Sequence, residues 1–284
     1  MLGKVTFGLF FLLLVWGNLV AGTKSGLGCP DWPLCHGRVV PPLGFETYME
    51  YMHRVIAALA TVSLAALAHY RFRSYTGWAK LVPVAAMALV AAEIVMGGLV
   101  VVLELPMSLT TFHFMAGLTV FMLVFVMMFF PGEKPGFVVY INRHAALFIG
   151  LGALVFAQAA LGAYVRHSGS GLACPDFPAC FGKFVPDVLN KNILAQLSHR
   201  VMGYLVFLTV LALYAGTMLG AGLARNRRTA LWLVVLALVQ ILVGAAVVLT
   251  GLYFMATALH LAVALSMLTL IGVMWARAAE EREV

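Results

Sequence analysis

Residues 25–35 read SGLGCPDWPLC and residues 170–180 read SGLACPDFPAC. The two segments begin 145 positions apart, and the likeness runs on well beyond them. EYMHRV at 50–55 matches QLSHRV at 196–201, and EIVMGGLVVVL at 93–103 matches QILVGAAVVLT at 240–250. His113 in TTFHFMAGL matches His260 in TALHLAVAL, now at an offset of 147. An offset that drifts by only two residues predicts duplication of one structural unit.

The solvent of that unit follows from composition. Of 284 residues, 63% are hydrophobic and 10% charged. A water-soluble domain carries roughly a quarter charged residues. The net charge of +7 comes from scattered basic residues rather than a long run, so nucleic acid is not an expected partner. A helix needs about 20 apolar residues to cross a bilayer. Eight stretches qualify, at roughly 5–22, 47–70, 79–103, 108–130, 143–166, 192–221, 228–250 and 254–277. The first lacks a convincing small-x-small cleavage site and is read as a retained helix. The expected fold is an all-α integral membrane protein of two tandem four-helix bundles, 1–135 and 136–284. Four helices per unit keep both copies in one orientation, which predicts a pseudo-twofold axis along the membrane normal.

Basic residues alternate between the connections: Arg71, Arg73 and Lys80 in the second, Lys134 and Arg143 in the fourth, Arg225, Arg227 and Arg228 in the sixth. The third holds only Glu104 and the seventh no charge. Basic loops face the cytoplasm, which places both termini inside and both cysteine loops outside. Lys183 and Lys191 in the fifth connection are balanced by Asp176 and Asp187. On an oxidising face the local pairs Cys29–Cys35 and Cys174–Cys180 are expected as disulfides, either as structural staples or as electron-exchanging groups. Zinc is disfavoured, because each loop offers two thiols at an unusual spacing with only His36 nearby in the first.

Four of the eight histidines, His53, His113, His199 and His260, occupy repeat-equivalent positions on the even-numbered helices. All four should lie at one depth in the outer half of the bilayer. A lone intramembrane histidine is usually a packing hydrogen-bonder. Paired imidazoles in two bundles instead suit axial ligation of haem, which needs little beyond two ligands and an apolar slot. Bare metal sites recruit further Asp, Glu or Cys ligands. His53 with His113 would serve one site and His199 with His260 the other. Arg54 and Arg200 follow two of these histidines and would reach propionates, or else snorkel to the surface. His36, His69, His144 and His167 are expected at interfaces.

The two halves differ where carboxylates replace amides: Glu50 stands opposite Gln196, and Glu93 opposite Gln240. An intramembrane carboxylate is costly and usually functional. Glu50 precedes His53 by three residues and shares its helix face. This marks the first half as the reactive copy, although Glu50 at the outer water boundary is the competing reading. Glu93 is either functional or a bond to a neighbouring helix.

On E-x-x-H-R at Glu50–Arg54, the partner His113, the repeated H-R at His199–Arg200, the partner His260 and the paired CPD-x-P-x-C loops, the chain resembles the heme A synthases of bacteria and mitochondria. The resemblance covers nearly the whole chain. It implies an oxidoreductase that converts the C8 methyl group of heme O to the formyl group of heme A, for terminal oxidases. It implies substrate haem between His53 and His113, heme b on His199 and His260, and a catalytic Glu50. It also implies a partner heme O synthase, a place in terminal-oxidase assembly, the plasma (inner) membrane and disulfides in both loops. Homo-oligomerisation stays open; Gly97, Gly98 and Gly244 would permit close helix contacts. Two other readings compete: a di-haem transmembrane electron carrier of cytochrome b type, and a haem transporter or chaperone. A carrier stacks its haems toward opposite faces, whereas these four histidines gather toward one.

Overall fold

The computed structural model describes residues 1–42, 44–130 and 143–280. Lys134 and the expected domain boundary at 135/136 lie outside the described residues. Eight helices long and apolar enough to cross a membrane are present among those described. They are α1 (Leu2–Gly22), α2 (Phe45–Ser74), α3 (Leu81–Val102), α4 (Met107–Phe129), α5 (Arg143–His167), α6 (Lys191–Leu219), α7 (Arg227–Leu249) and α8 (Phe254–Glu280). Each expected span has its helix. The largest differences fall on α2, whose 30 residues run past both expected ends, and on α8, which continues to Glu280. Hydropathy alone misses such turns, because Glu46, Arg71 and Arg73 lower the local average while helix hydrogen bonding continues through them.

The chain divides into two compact units, Met1–Val138 and Val139–Val284. In the first, α1 packs on α2 and α4, and α3 packs on α2 and α4. In the second, α5 packs on α6 and α8, and α7 packs on α6 and α8. Each unit is therefore an up-and-down ring of four helices, and the histidine-bearing even helices stand diagonally across its core. Outward positions such as Val62, Val102, Leu208 and Leu242 are exposed and apolar, as a lipid-facing surface requires. Threonine hydroxyls at 110, 119, 209 and 269 donate to the carbonyl four residues earlier, so few polar groups point outward.

The core of the first unit is filled unevenly. Phe7 lies against Phe121 with ring centroids 4.8 Å apart, and Phe125 against Phe129 at 4.4 Å. These rings pack the half remote from the cysteine loop. The nearer half holds the histidines. His53 and His199 each follow their helix start by eight residues, and His113 and His260 follow theirs by six. At 1.5 Å rise per residue that is about 9–12 Å inside the loop end of each helix.

Candidate functional site

The cysteine loops explain most of their own motif. Cys29–Cys35 and Cys174–Cys180 are disulfides. The second cysteine opens a two-residue hairpin: Cys35 exchanges backbone hydrogen bonds with Arg38, and Cys180 with Lys183. The tip residues have positive φ, at His36 (53°) with Gly37 (69°) and at Phe181 (54°) with Gly182 (75°). Glycine suits that conformation, while a histidine or phenylalanine there needs outside support. The aspartate of CPD supplies it. Asp31 accepts from the backbone N–H of His36 at 2.6 Å and of Gly37 at 2.7 Å. Asp176 accepts from Phe181 at 2.8 Å and Gly182 at 2.7 Å. These bonds, led by those from Gly37 and Gly182, hold both carboxyls below their ordinary value. Trp32–Pro33 and Phe177–Pro178 are cis.

The arginines fasten these loops to the helices. Arg54 donates from Nη1 to the carbonyls of Asp31 (2.8 Å) and Leu34 (2.7 Å), and from Nη2 to that of Cys29 (3.0 Å). Arg200 donates from Nη1 to Ala179 (2.7 Å) and from Nη2 to Cys174 (2.9 Å) and Asp176 (2.8 Å). The propionate contact expected of Arg54 and Arg200 would have to share N–H groups already engaged here. Neither side chain simply snorkels. The four cysteines are at most 2% exposed. That burial favours the staple reading over electron exchange, which needs access to the sulfur.

The helix position of Glu50 and Gln196 does different work in the two units. Gln196 is buried; its Oε1 accepts from the Cys174 N–H and its Nε2 donates to the Gly171 carbonyl at 2.8 Å. It is a second fastener of the loop. Glu50, equally buried, accepts from Arg54 Nε at 3.0 Å. A carboxylate has no N–H to offer the loop carbonyl, so Glu50 is turned to the arginine, within electrostatic reach of His113.

The histidines of the second unit meet across its bundle. The rings of His199 and His260 are 6.4 Å apart, centroid to centroid, inclined at 66°. His53 and His113 lie within electrostatic reach of one another. All four rings are half-buried, and all four Nδ1 atoms are buried without a hydrogen-bond partner. Unpaired buried nitrogens at four equivalent places call for a ligand. A first-row metal sits about 2 Å from an imidazole nitrogen, so two rings flanking one ion have centroids about 6 Å apart. The second pair fits that span. Among the described residues no three His, Cys, Asp or Glu side chains converge into a metal site. Two imidazoles with no further protein ligand suit haem and not a bare ion.

The third helix of each unit also touches a histidine. Glu93 Oε2 lies 3.1 Å from His113 Nδ1, close but not aligned as a hydrogen bond. Gln240 Nε2 lies 3.3 Å from His260 Nε2. Glu93 thus stands beside a histidine of the neighbouring helix. Sequence reasoning did not assign Asp31 and Asp176. Their signal was a non-glycine residue before glycine, just after the second cysteine in both copies.

These features define a class: a multi-pass helical membrane protein with two bundles, each holding an imidazole pair beneath a disulfide-stapled loop. The sequence pattern of the COX15-CtaA family, cytochrome oxidase assembly protein, matches residues 2–46 and 42–271, and the chain belongs to that family. It is 30% identical over 252 residues to a heme A synthase of Halalkalibacterium halodurans, covering 84% of this chain and 83% of that one. It is 32% identical over 219 residues to a heme A synthase of an Exiguobacterium species, covering 75% and 71%. A heme A synthase of Bacillus licheniformis is 29% identical over 258 residues, covering 86% and 83%.

Proposed function

We propose that this chain is a heme A synthase, oxidising the C8 methyl group of heme O to the formyl group of heme A. The observation that carries the reading is the imidazole pair in each bundle, joined to about 30% identity with heme A synthases over most of the chain. The two units are copies of one module, in which the first takes substrate and the second holds a resident heme b. His199 and His260 hold that heme b, which when bound supplies one-electron redox chemistry. His53 and His113 hold and orient the substrate haem, so that its methyl edge is presented to the same protein groups at each turnover.

Oxidation of a methyl group to the aldehyde level passes through the alcohol and the gem-diol, which loses water. Each oxidation takes up one water and releases two protons and two electrons, so the reaction draws on an external electron acceptor. Glu50 is the buried carboxylate placed to accept the protons, and its bond to Arg54 Nε holds it in position. Gln196 cannot take up a proton, and it is committed to its loop. The cysteine loops close the outer mouths of the bundles, and the aromatic stack closes the inner half of the first. The reading includes a plasma-membrane location with cytoplasmic termini and external loops. It also includes a heme O synthase as supplier of substrate and terminal-oxidase assembly as the destination of product.

The test is co-expression with a heme O synthase in a host lacking heme A, then acid extraction and mass spectrometry of the haems. A product about 14 mass units above heme O, the shift from methyl to formyl, is expected. Folded protein that yields only heme B and unmodified heme O, with oxygen supplied as electron acceptor, overturns the reading in favour of a carrier or chaperone.

A further inference from the structure

Each of the four core histidines leans on a glycine of the preceding helix: His53 on Gly17 of α1, His113 on Gly97 of α3, His199 on Gly162 of α5 and His260 on Gly244 of α7. Glycine is a poor helix former, so four of them facing four rings need a local reason. A β-carbon at Gly17 would lie 3.0 Å from His53 Cε1, at Gly162 2.9 Å from His199 Cε1, and at Gly244 3.0 Å from His260 Cε1. The separation at Gly162 is shorter than real β-carbons show and those at Gly17 and Gly244 are at the tight limit, so each of these rings would have to give by a few tenths of an ångström. At Gly97 the β-carbon would stand 3.4 Å from His113 Cε1, at the edge of ordinary contact.

His113 is also the ring with a carboxylate beside it. Glu93 Oε2 is 3.1 Å from its Nδ1. One turn beyond His113, Gly117 leaves that carboxylate its room, since a β-carbon there would be 3.3 Å from Glu93 Oε2. The repeat-equivalent position in the second unit is Ala264, opposite Gln240. The first unit thus has one ring held against its glycine and one with slack, beside a carboxylate where the second unit has an amide. In the second unit both rings are held.

We propose that Gly17, Gly162 and Gly244 are positioning residues that fix the imidazoles of His53, His199 and His260, and that the slack at Gly97 makes His113 the exchangeable axial ligand of the first unit. The inference rests on the haem-binding reading above and adds a division of labour to it. A substrate haem must enter and leave, so one ligand has to yield; a resident haem needs two that do not.

The experiment isolates each site. In a His53→Ala background only second-unit haem remains, and in a His260→Ala background only first-unit haem. Low-spin haem per chain and carbon monoxide binding to the reduced haem are then measured in purified protein. Gly162→Ala and Gly244→Ala should lose most low-spin second-unit haem, and Gly17→Ala most first-unit haem. Gly97→Ala should stay within about twofold of its parent. Gly8→Ala in α1 and Gly150→Ala in α5 control for folding, because nothing lies within 4 Å of a β-carbon at either position. The reduced first-unit haem should bind carbon monoxide and the second-unit haem should not. Absence of low-spin haem in a folded parent would sink the haem reading itself. Low-spin haem in the parents with full retention in the three tight variants, or loss with Gly97→Ala, overturns the positioning claim. No carbon monoxide binding in the first unit overturns the exchange claim.

Discussion

Replacing Gln196 with alanine should loosen the second cysteine loop without touching the first. Gln196 is 3% exposed and bonds the Cys174 N–H and the Gly171 carbonyl. Truncation strands the buried Cys174 N–H, at about 1–3 kcal/mol, and removes a second bond worth about 1 kcal/mol. Together that is about 2–4 kcal/mol, which raises the open population of the loop about 30- to 1000-fold. Cys174 and Cys180 are fully buried, so a reductant reaches their disulfide only through the open form. The assay is a time course with excess phosphine reductant, alkylation of freed thiols, and peptide mass spectrometry that separates Cys174–Cys180 from Cys29–Cys35. The second disulfide should reduce at least about 30-fold faster than in the parent protein, with the first unchanged. Equal rates for the second disulfide would refute the claim that this amide fastens the loop. The reciprocal change, Glu50→Gln, introduces the amide in the first unit and should slow reduction of Cys29–Cys35.

The proposed proton role of Glu50 predicts that Glu50→Ala abolishes heme A while second-unit haem stays bound; full product yield would remove the role. Arg200→Lys keeps the charge but loses the planar fork that reaches the carbonyls of Cys174, Asp176 and Ala179. Faster reduction of Cys174–Cys180, by about tenfold or more, is expected in the same time course. The Asp176 carboxyl lies below its ordinary value of 3.8 because the folded loop donates backbone N–H bonds to it. A lowered folded value means its stabilisation is complete above pH 3.8 and is lost as pH falls through the lowered value. Reduction rates should therefore show no Asp176-dependent rise between neutral pH and about 4, then climb below it, with Asp176→Asn flattening that climb.

The eight helices were legible because the bilayer imposes a length and an apolar composition that few other folds share. The histidine pairs were legible because the motif around them recurs in the sequence: His199 stands to Gln196 as His53 stands to Glu50. What stayed hidden depended on contacts between segments distant in sequence. Arg54 looked available for a haem propionate, since nothing local says that its guanidinium bonds carbonyls 20 to 25 residues earlier. Gly97 and Gly244 looked like helix-contact glycines, and only the folded bundles put them under histidine rings. Asp31 drew no notice because acceptors of backbone N–H bonds carry no sequence signature beyond their residue type.

Divergence between the halves is concentrated at positions touching a histidine or its loop. In the second unit Gln196 fastens the loop, Gln240 touches His260 and Ala264 fills the turn after it. Every one of these neutral groups serves a fixed arrangement. In the first unit Glu50 and Glu93 bring charge to the same helix positions, and Gly117 opens space beside the second carboxylate. A buried carboxylate is a poor structural substitute for an amide, because it loses a donor and adds a desolvation cost. Such exchanges at two sites, both next to the histidine pair, weaken a bundle unless the charge is used. On the proposed reading it is used twice: at Glu50 to take protons from the oxidised methyl group, and at Glu93 to let His113 turn. Glu93→Gln should then copy the second unit. It should retain first-unit haem, suppress its carbon monoxide binding by about tenfold or more, and slow product release. Unchanged carbon monoxide binding in that variant would leave Glu93 as a packing residue and His113 mobile for some other reason.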